Sequence, residues 1–162
     1  MAAALGLAVL RLTLAAILFA HGSHQLFGLL NGPGVGPGGL SATSAYFAGI
    51  GLTHPMPLAV LAGVIQLAGG ILIAVGFLTR WASLTAVATL GFLAWKDSWR
   101  WGFFMNWVLD PARGHGIEYA VILAGGLLCL ALTGAGDLSI DGRQNRRAAL
   151  RASGRARLRT RD

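Results

Sequence analysis

The chain has 162 residues, 55% of them hydrophobic and 12% charged, with a mean hydropathy of +0.64. A soluble domain of this size carries about a quarter of its residues as charges, so the composition excludes an ordinary water-soluble domain and points to a lipid-solvated protein. The formal charge is +7, but five basic and five acidic side chains cancel through residue 142, and eight arginines against Asp162 alone place the whole excess in residues 143–162.

A helix needs about 20 mostly apolar residues, rising 1.5 Å each, to cross about 30 Å of hydrocarbon. Residues 5–30, 56–78, 81–95 and 117–133 meet or approach that length. The first stretch has no basic start, and Arg11 interrupts it where a signal peptide would have its apolar core, which predicts a retained helix. Next comes NGPGVGPGG at residues 31–39, a loop or re-entrant turn that cannot continue a helix. Residues 44–52 are aromatic and apolar and suit a short interfacial helix, while Pro55 and Pro57 suit the first turn of the second span. The third and fourth stretches are short and should extend into their flanks, with Lys96 snorkelling and His115 close to the water interface.

Trp95, Trp99, Trp101 and Trp107, with Phe103 and Phe104, crowd the loop between them. Tryptophan favours the headgroup level, so the loop is expected on the membrane surface; an aromatic substrate site is the sharper alternative. Cys129 is the single cysteine, which excludes an intramolecular disulfide and a Cys-x-x-Cys relay, and it reads as a small buried hydrophobe. Gly134, Ala135 and Gly136 should stop the last span.

The tail carries Arg143, Arg147, Arg151, Arg155 and Arg159 at four-residue spacing, with Arg146, Arg157 and Arg161 between them. Its lack of an apolar face predicts a disordered segment, separate from a membrane domain at 1–142. Arg143, Arg146, Arg147 and Arg151 are the expected membrane-surface contacts, drawn to anionic lipid heads at about 1 kcal/mol per basic residue. No nucleic-acid-binding module accompanies the charge. Arginine-rich flanks stay cytoplasmic, so four spans place both termini inside and Arg80 on the same side. The expectation is an all-α, integral membrane four-helix bundle, multi-pass in the cell membrane and of bacterial inner-membrane type.

Polar groups within apolar helices are costly and usually face a partner, a cavity or a ligand. Arg11, His21 and Gln25 share one helical face, with His24 slightly to its side. At 1.5 Å per residue His21 stands about 15 Å above Arg11, and Gln66, on a helix running the other way, reaches a similar level. Arg11 is expected to pair with a carbonyl or phosphate at the inner boundary. Glu118 opens the fourth span three residues after His115, so His21, His24, Gln25, Gln66, His115 and Glu118 are expected to meet in the outer half of the bundle.

Histidine beside a carboxylate can hold and transfer protons near neutral pH, which suits binding of a quinone head group. Metal and haem are weaker readings: the Glu-x-x-His pairs of diiron bundles are missing, and axial histidines such as His21 and His115 would have to come from different helices. A purely structural reading, in which these groups bond one another, competes with both. Gly69, Gly70, Gly76, Gly125 and Gly126 read as close-packing sites between helices.

The chain resembles the DoxX family of small four-helix membrane proteins. The resemblance rests on Arg11 followed by FAHG at 19–22, YFAGIGL at 46–52, GGIL at 69–72, GFLTR at 76–80, GIEY at 116–119 and GAGDLSID at 134–141. It covers residues 8–142 and leaves out the tail. Relatives usually carry a glutamate where Gln66 stands and often a lysine at the position of Gln25, so two charges are replaced by amides here. Because relatives include subunits of thiosulfate:quinone oxidoreductase and membrane partners of redox-stress enzymes, the resemblance implies a quinone-linked role alongside redox partner subunits.

The leading expectation is a membrane subunit that links a redox enzyme to the quinone pool, with His21 and Glu118 as the proton-handling pair and His24, Gln25, Gln66 and His115 completing the pocket. With no nucleotide loop, flavin fingerprint or cysteine pair, electrons would come from a partner or a bound cofactor. The rival is a non-enzymatic scaffold that recruits partners through the tail and the aromatic loop. A small-solute carrier, lacking visible inverted repeats, would require a homo-oligomer.

Overall fold

A computed structural model describes residues 1–30 and 36–159, with side chains through Ser153; the NGPGV part of the Gly/Pro loop and the last three residues lie outside the described residues. The described residues are all-helical: α1 (Ala2–Phe27), α2 (Gly39–Gly49), α3 (Pro55–Val75), α4 (Thr79–Leu93), α5 (Glu118–Thr133) and α6 (Ile140–Arg159). By length and apolar composition α1 and α3 can each cross a membrane, and α5 is a shorter apolar helix. α4 has 15 residues, but a π turn at Ala94–Ser98 and a 3-10 turn at Trp99–Trp101 prolong it without a break. That is the predicted extension into the flank, and Lys96 lies over the Trp95 ring.

The helix ends follow from backbone chemistry. α1 stops at Phe27 because Gly28 adopts a left-handed conformation and donates its N–H to the His24 carbonyl. Gly76 ends α3 in the same way, three residues before the expected stop at 78. Pro55 opens α3 just after its N-cap His54, where a missing N–H costs nothing. The interfacial segment expected at 44–52 begins earlier, at Gly39, and forms α2.

α1 packs along α3, α3 against α4, and α4 against α5, which also touches α1. One core draws Leu14 and Leu18 from α1, Ile73 from α3, Ala86 from α4, and Leu127 and Leu130 from α5. A smaller one places Phe47 and Leu52 over Ala59 and Ala62, seating α2 on α3. The α1–α3 crossing is close: a Cβ on Gly70 would lie 2.7 Å from the Phe19 nitrogen, and one on Gly22 would collide with the Leu67 backbone. Gly126 packs against Leu14, but Gly125, expected at a close contact, faces open space. Cys129 is likewise exposed and not buried, because the inward stripe of α5 is Leu123, Leu127 and Leu130, and Cys129 lies off it.

At one end of this body Arg11, 5% exposed, donates to the carbonyls of Ala135 (3.0 Å) and Leu138 (2.9 Å) in the α5–α6 loop. Of the two partners expected for it, the structure supplies the carbonyls. Asp141 accepts the N–H groups of Leu78 and Thr79, each at 3.1 Å, and its own N–H reaches the Gly76 carbonyl. The GFLTR and GAGDLSID segments thus meet each other over Arg11.

The tail, expected to be disordered, is helical through Arg159 instead. Arg, Ala, Leu and Gln are among the better helix formers, so local propensity supports a helix that has no core to join. α6 packs little against the other helices; an Arg146–Asp137 ion pair at 3.1 Å ties its start to the preceding loop.

Candidate functional site

At the opposite end from Arg11, a cavity of about 550 Å³ opens between α1, α2, α3, α4 and α5. Four of the six side chains expected together line it: His21, His24, Gln25 and Gln66. α1 brings the exposed His21 and the half-buried Gln25 to the cavity wall, and α3 carries Gln66, 3% exposed, to the same level. Apolar walls come from Phe47, Leu90, Leu93 and Leu123.

The polar atoms of the cavity are mostly paired. Gln66 Nε2 donates to Gln25 Oε1 at 3.1 Å, and the Gln25 carbonyl accepts the Thr43 hydroxyl at 2.9 Å, which fastens α2 to α1. His21 Nε2 lies 3.1 Å from the Tyr119 hydroxyl, with the two rings tilted at 43°. Tyr46 donates to Asp97 Oδ2 at 2.5 Å, joining α2 to the π turn after α4. Burial and this bond raise the Tyr46 pKa above that of an ordinary phenol, so the group stays a proton donor. His24 is committed elsewhere: its Nδ1 donates to the Leu29 carbonyl at 3.1 Å, and its ring packs so closely on Gly38 that a Cβ there would lie 2.5 Å from it.

Glu118 and His115 do not join the cavity. Glu118 accepts the Met105 N–H at 3.1 Å, and His115 Nδ1 accepts the Asn106 N–H at 3.3 Å. Both hold the α4–α5 loop, which folds back on the start of α5 through bonds from Gly116, Ile117 and Glu118 nitrogens to the carbonyls of Phe104, Gly102 and Phe103. Asn106, 6% exposed, is the centre of that loop: its amide donates to the carbonyls of Asp110 and Arg113 and accepts the Asp110 N–H. Trp95, Trp99 and Trp107 point outward, 63–73% exposed, and none lines the cavity.

Sequence reasoning missed Tyr46, Asp97 and Tyr119. Both tyrosines of the chain face this cavity. They stand in segments noted for the family resemblance, yet nothing in their spacing signals a pairing with residues 51 and 98 positions away. Among the described residues, no three His, Cys, Asp or Glu side chains gather as metal ligands would.

The family model described as DoxX matches residues 6–98. The chain belongs to the DoxX family. No curated protein and no solved structure matches it. The matched DoxX segment runs from α1 through the π turn, so it contains His21, Gln25, Tyr46, Gln66 and Asp97, whereas Tyr119 lies beyond it. DoxX proteins are membrane-associated, in keeping with the two spanning-length helices. The two amides singled out in the sequence, Gln25 and Gln66, touch each other.

Proposed function

We propose that this DoxX protein is a multi-pass cell-membrane subunit whose α1, α3, α4 and α5 cross the bilayer as a four-helix bundle with both termini cytoplasmic, and whose cavity holds a quinone head group for a redox complex. The shared core of those helices, the outward apolar side chains and the concentration of arginines in α6, against only Arg100 and Arg113 in the α4–α5 loop, support the topology. One observation carries the functional reading: a cavity with apolar walls contains two hydroxyl pairs, His21–Tyr119 and Tyr46–Asp97, beside the Gln25–Gln66 amide pair.

A bound quinone supplies two-electron chemistry, its ring oxygens taking up protons as the ring is reduced. Tyr119 would offer its O–H toward one such oxygen with His21 behind it to exchange the proton, and Tyr46, whose single O–H goes to Asp97, would turn it to the other oxygen by giving up that bond. Gln25 and Gln66 orient the group, and Phe47, Leu90 and Leu123 enclose its apolar part. Glu118 and His115, engaged in the loop, drop out of the site. Electrons come from a partner subunit, since this chain carries no flavin or nucleotide fingerprint and no cysteine pair.

The test is purification from native membranes in mild detergent, with mass spectrometry of co-purifying proteins and extracted small molecules. Quinone and a dehydrogenase or oxidase subunit are expected with the wild type, and quinone should be depleted from His21→Ala and Tyr46→Phe proteins that melt at the wild-type temperature. A wild type without quinone, or variants retaining it fully, would overturn the assignment. A second reading draws on the exposed Arg143, Arg146, Arg147 and Arg151 of α6: a scaffold that binds partners or anionic lipid through this helix. Truncation after residue 142 should then release the partner and leave quinone content unchanged.

A further inference from the structure

A second cavity, of about 670 Å³, lies at the Arg11 end of the body, between the start of α4, the loop after α5 and the first turns of α6. Its polar side chains include Arg80, Asp137, Asp141, Gln144, Asn145 and Arg146. Both carboxylates are already engaged. Asp141 accepts two backbone N–H groups with its two oxygens, and Asp137 pairs with Arg146. Arg80 is exposed and, among the described residues, has neither an ion-pair nor a hydrogen-bond partner. Its side chain lies along Gly134, with Nε 3.4 Å from where a Cβ on that residue would stand.

A guanidinium without a partner, in a cleft whose carboxylates are taken, is a site for an anion. The planar fork of arginine matches two oxygens of a phosphate, and the neighbouring side-chain amides of Gln144 and Asn145 can add N–H donors. The surroundings specify the anion further. Trp81 (70% exposed) and Leu84 on α4, with Leu132 (78%) and Leu128 on α5, form an outward apolar surface beside the cleft. A free phosphate would use only the polar half of this arrangement, whereas an amphiphile uses both halves.

We propose that this cavity binds the phosphodiester head group of an anionic phospholipid, with Arg80 as its anchor, Arg146 beside it, and the acyl chains along the apolar faces of α4 and α5. The site rests on the membrane reading of this chain and is independent of the quinone cavity at the other end. It also differs from diffuse attraction to the α6 arginines, because it depends on one side chain outside that helix.

Native mass spectrometry of the delipidated full chain in mild detergent, offered equal phosphatidylglycerol and phosphatidylcholine, tests it without any redox assay. Phosphatidylglycerol adducts should predominate in the wild type. Arg80→Gln should lower that preference roughly tenfold, the effect of about 1.4 kcal/mol expected for a direct charge-assisted contact, whereas Arg151→Gln, one of the diffuse surface contacts of α6, should lower it by clearly less. Millimolar inorganic phosphate should not displace the lipid. Equal retention of the two lipids, or equal effects of the two substitutions, would refute the site. Displacement of the lipid by phosphate would show a free-anion site and overturn the lipid assignment.

Discussion

Arg11 and Gln66 are both within 5% of complete burial, yet the two ends of the molecule treat them differently. Around Arg11 the partners are backbone: the carbonyls of Ala135 and Leu138, with Asp141 closing the N–H groups of Leu78 and Thr79 a few residues away. Around Gln66 the partners are side chains, paired as Gln25–Gln66, His21–Tyr119 and Tyr46–Asp97 around open volume. Backbone partners cannot swing away, so the first arrangement fixes loops. Side-chain pairs can exchange one partner for a ligand, so the second can bind one.

The comparison is most exposed to failure at Arg11. Arg11→Met keeps much of the volume and leaves two carbonyls without donors, which should cost about 3 kcal/mol in thermal or denaturant unfolding in detergent. His21→Ala and Tyr46→Phe, at the cavity end, should cost well under half of that, since each opens onto space that water or ligand can fill. If the two ends proved equally sensitive, the distinction between a structural junction and a binding cavity would collapse.

A smaller effect is expected at Asp141, which caps α4 from a different helix. Asp141→Ala removes the acceptor of two N–H groups and should cost about 1 kcal/mol, the usual magnitude for loss of a helix cap. Asp141→Asn, which retains one good acceptor oxygen, should recover part of the loss. An Asp141→Ala variant as stable as the wild type would mean that the cap contributes nothing and that the loop is held by Arg11 alone.

Much of the helical frame was legible because periodicity and turn chemistry are local. Pro55 marks the start of α3 and Gly134 follows the last residue of α5, whereas the face expected to hold Arg11, His21 and Gln25 together is divided: Arg11 is in the buried stripe of α1, Gln25 is half-buried and His21 is exposed. The cavity was half legible. Gln66 was placed from its depth along α3, but the same reasoning put Glu118 and His115 into the site, because closeness to a helix top says nothing about a loop that folds back to take both side chains. Asn106, which organises that loop, carries no sequence signal beyond being polar among aromatics. Tyr46 and Asp97 meet only because α2 lies across the body and α4 runs on through a π turn, and neither event can be read from a local window.

The finest distinction between the two ends concerns charge. Gln25 and Gln66 donate and accept without ionising, and their 3.1 Å contact implies that a lysine and a glutamate placed at these two positions would meet at the same point. Gln25→Lys alone and Gln66→Glu alone each bring a charge into a site that holds an amide, and each should destabilise the protein, Gln66→Glu the more because that position is nearly enclosed. The double substitution restores a complementary pair, so its cost should fall short of the sum of the single costs by about 1 kcal/mol, measured as a double-mutant cycle on melting in detergent. Strict additivity would break the contact on which the cavity is built. Favourable coupling would show that the site accommodates an ion pair or two amides in one geometry, so that the shape of the pair does not depend on its charge.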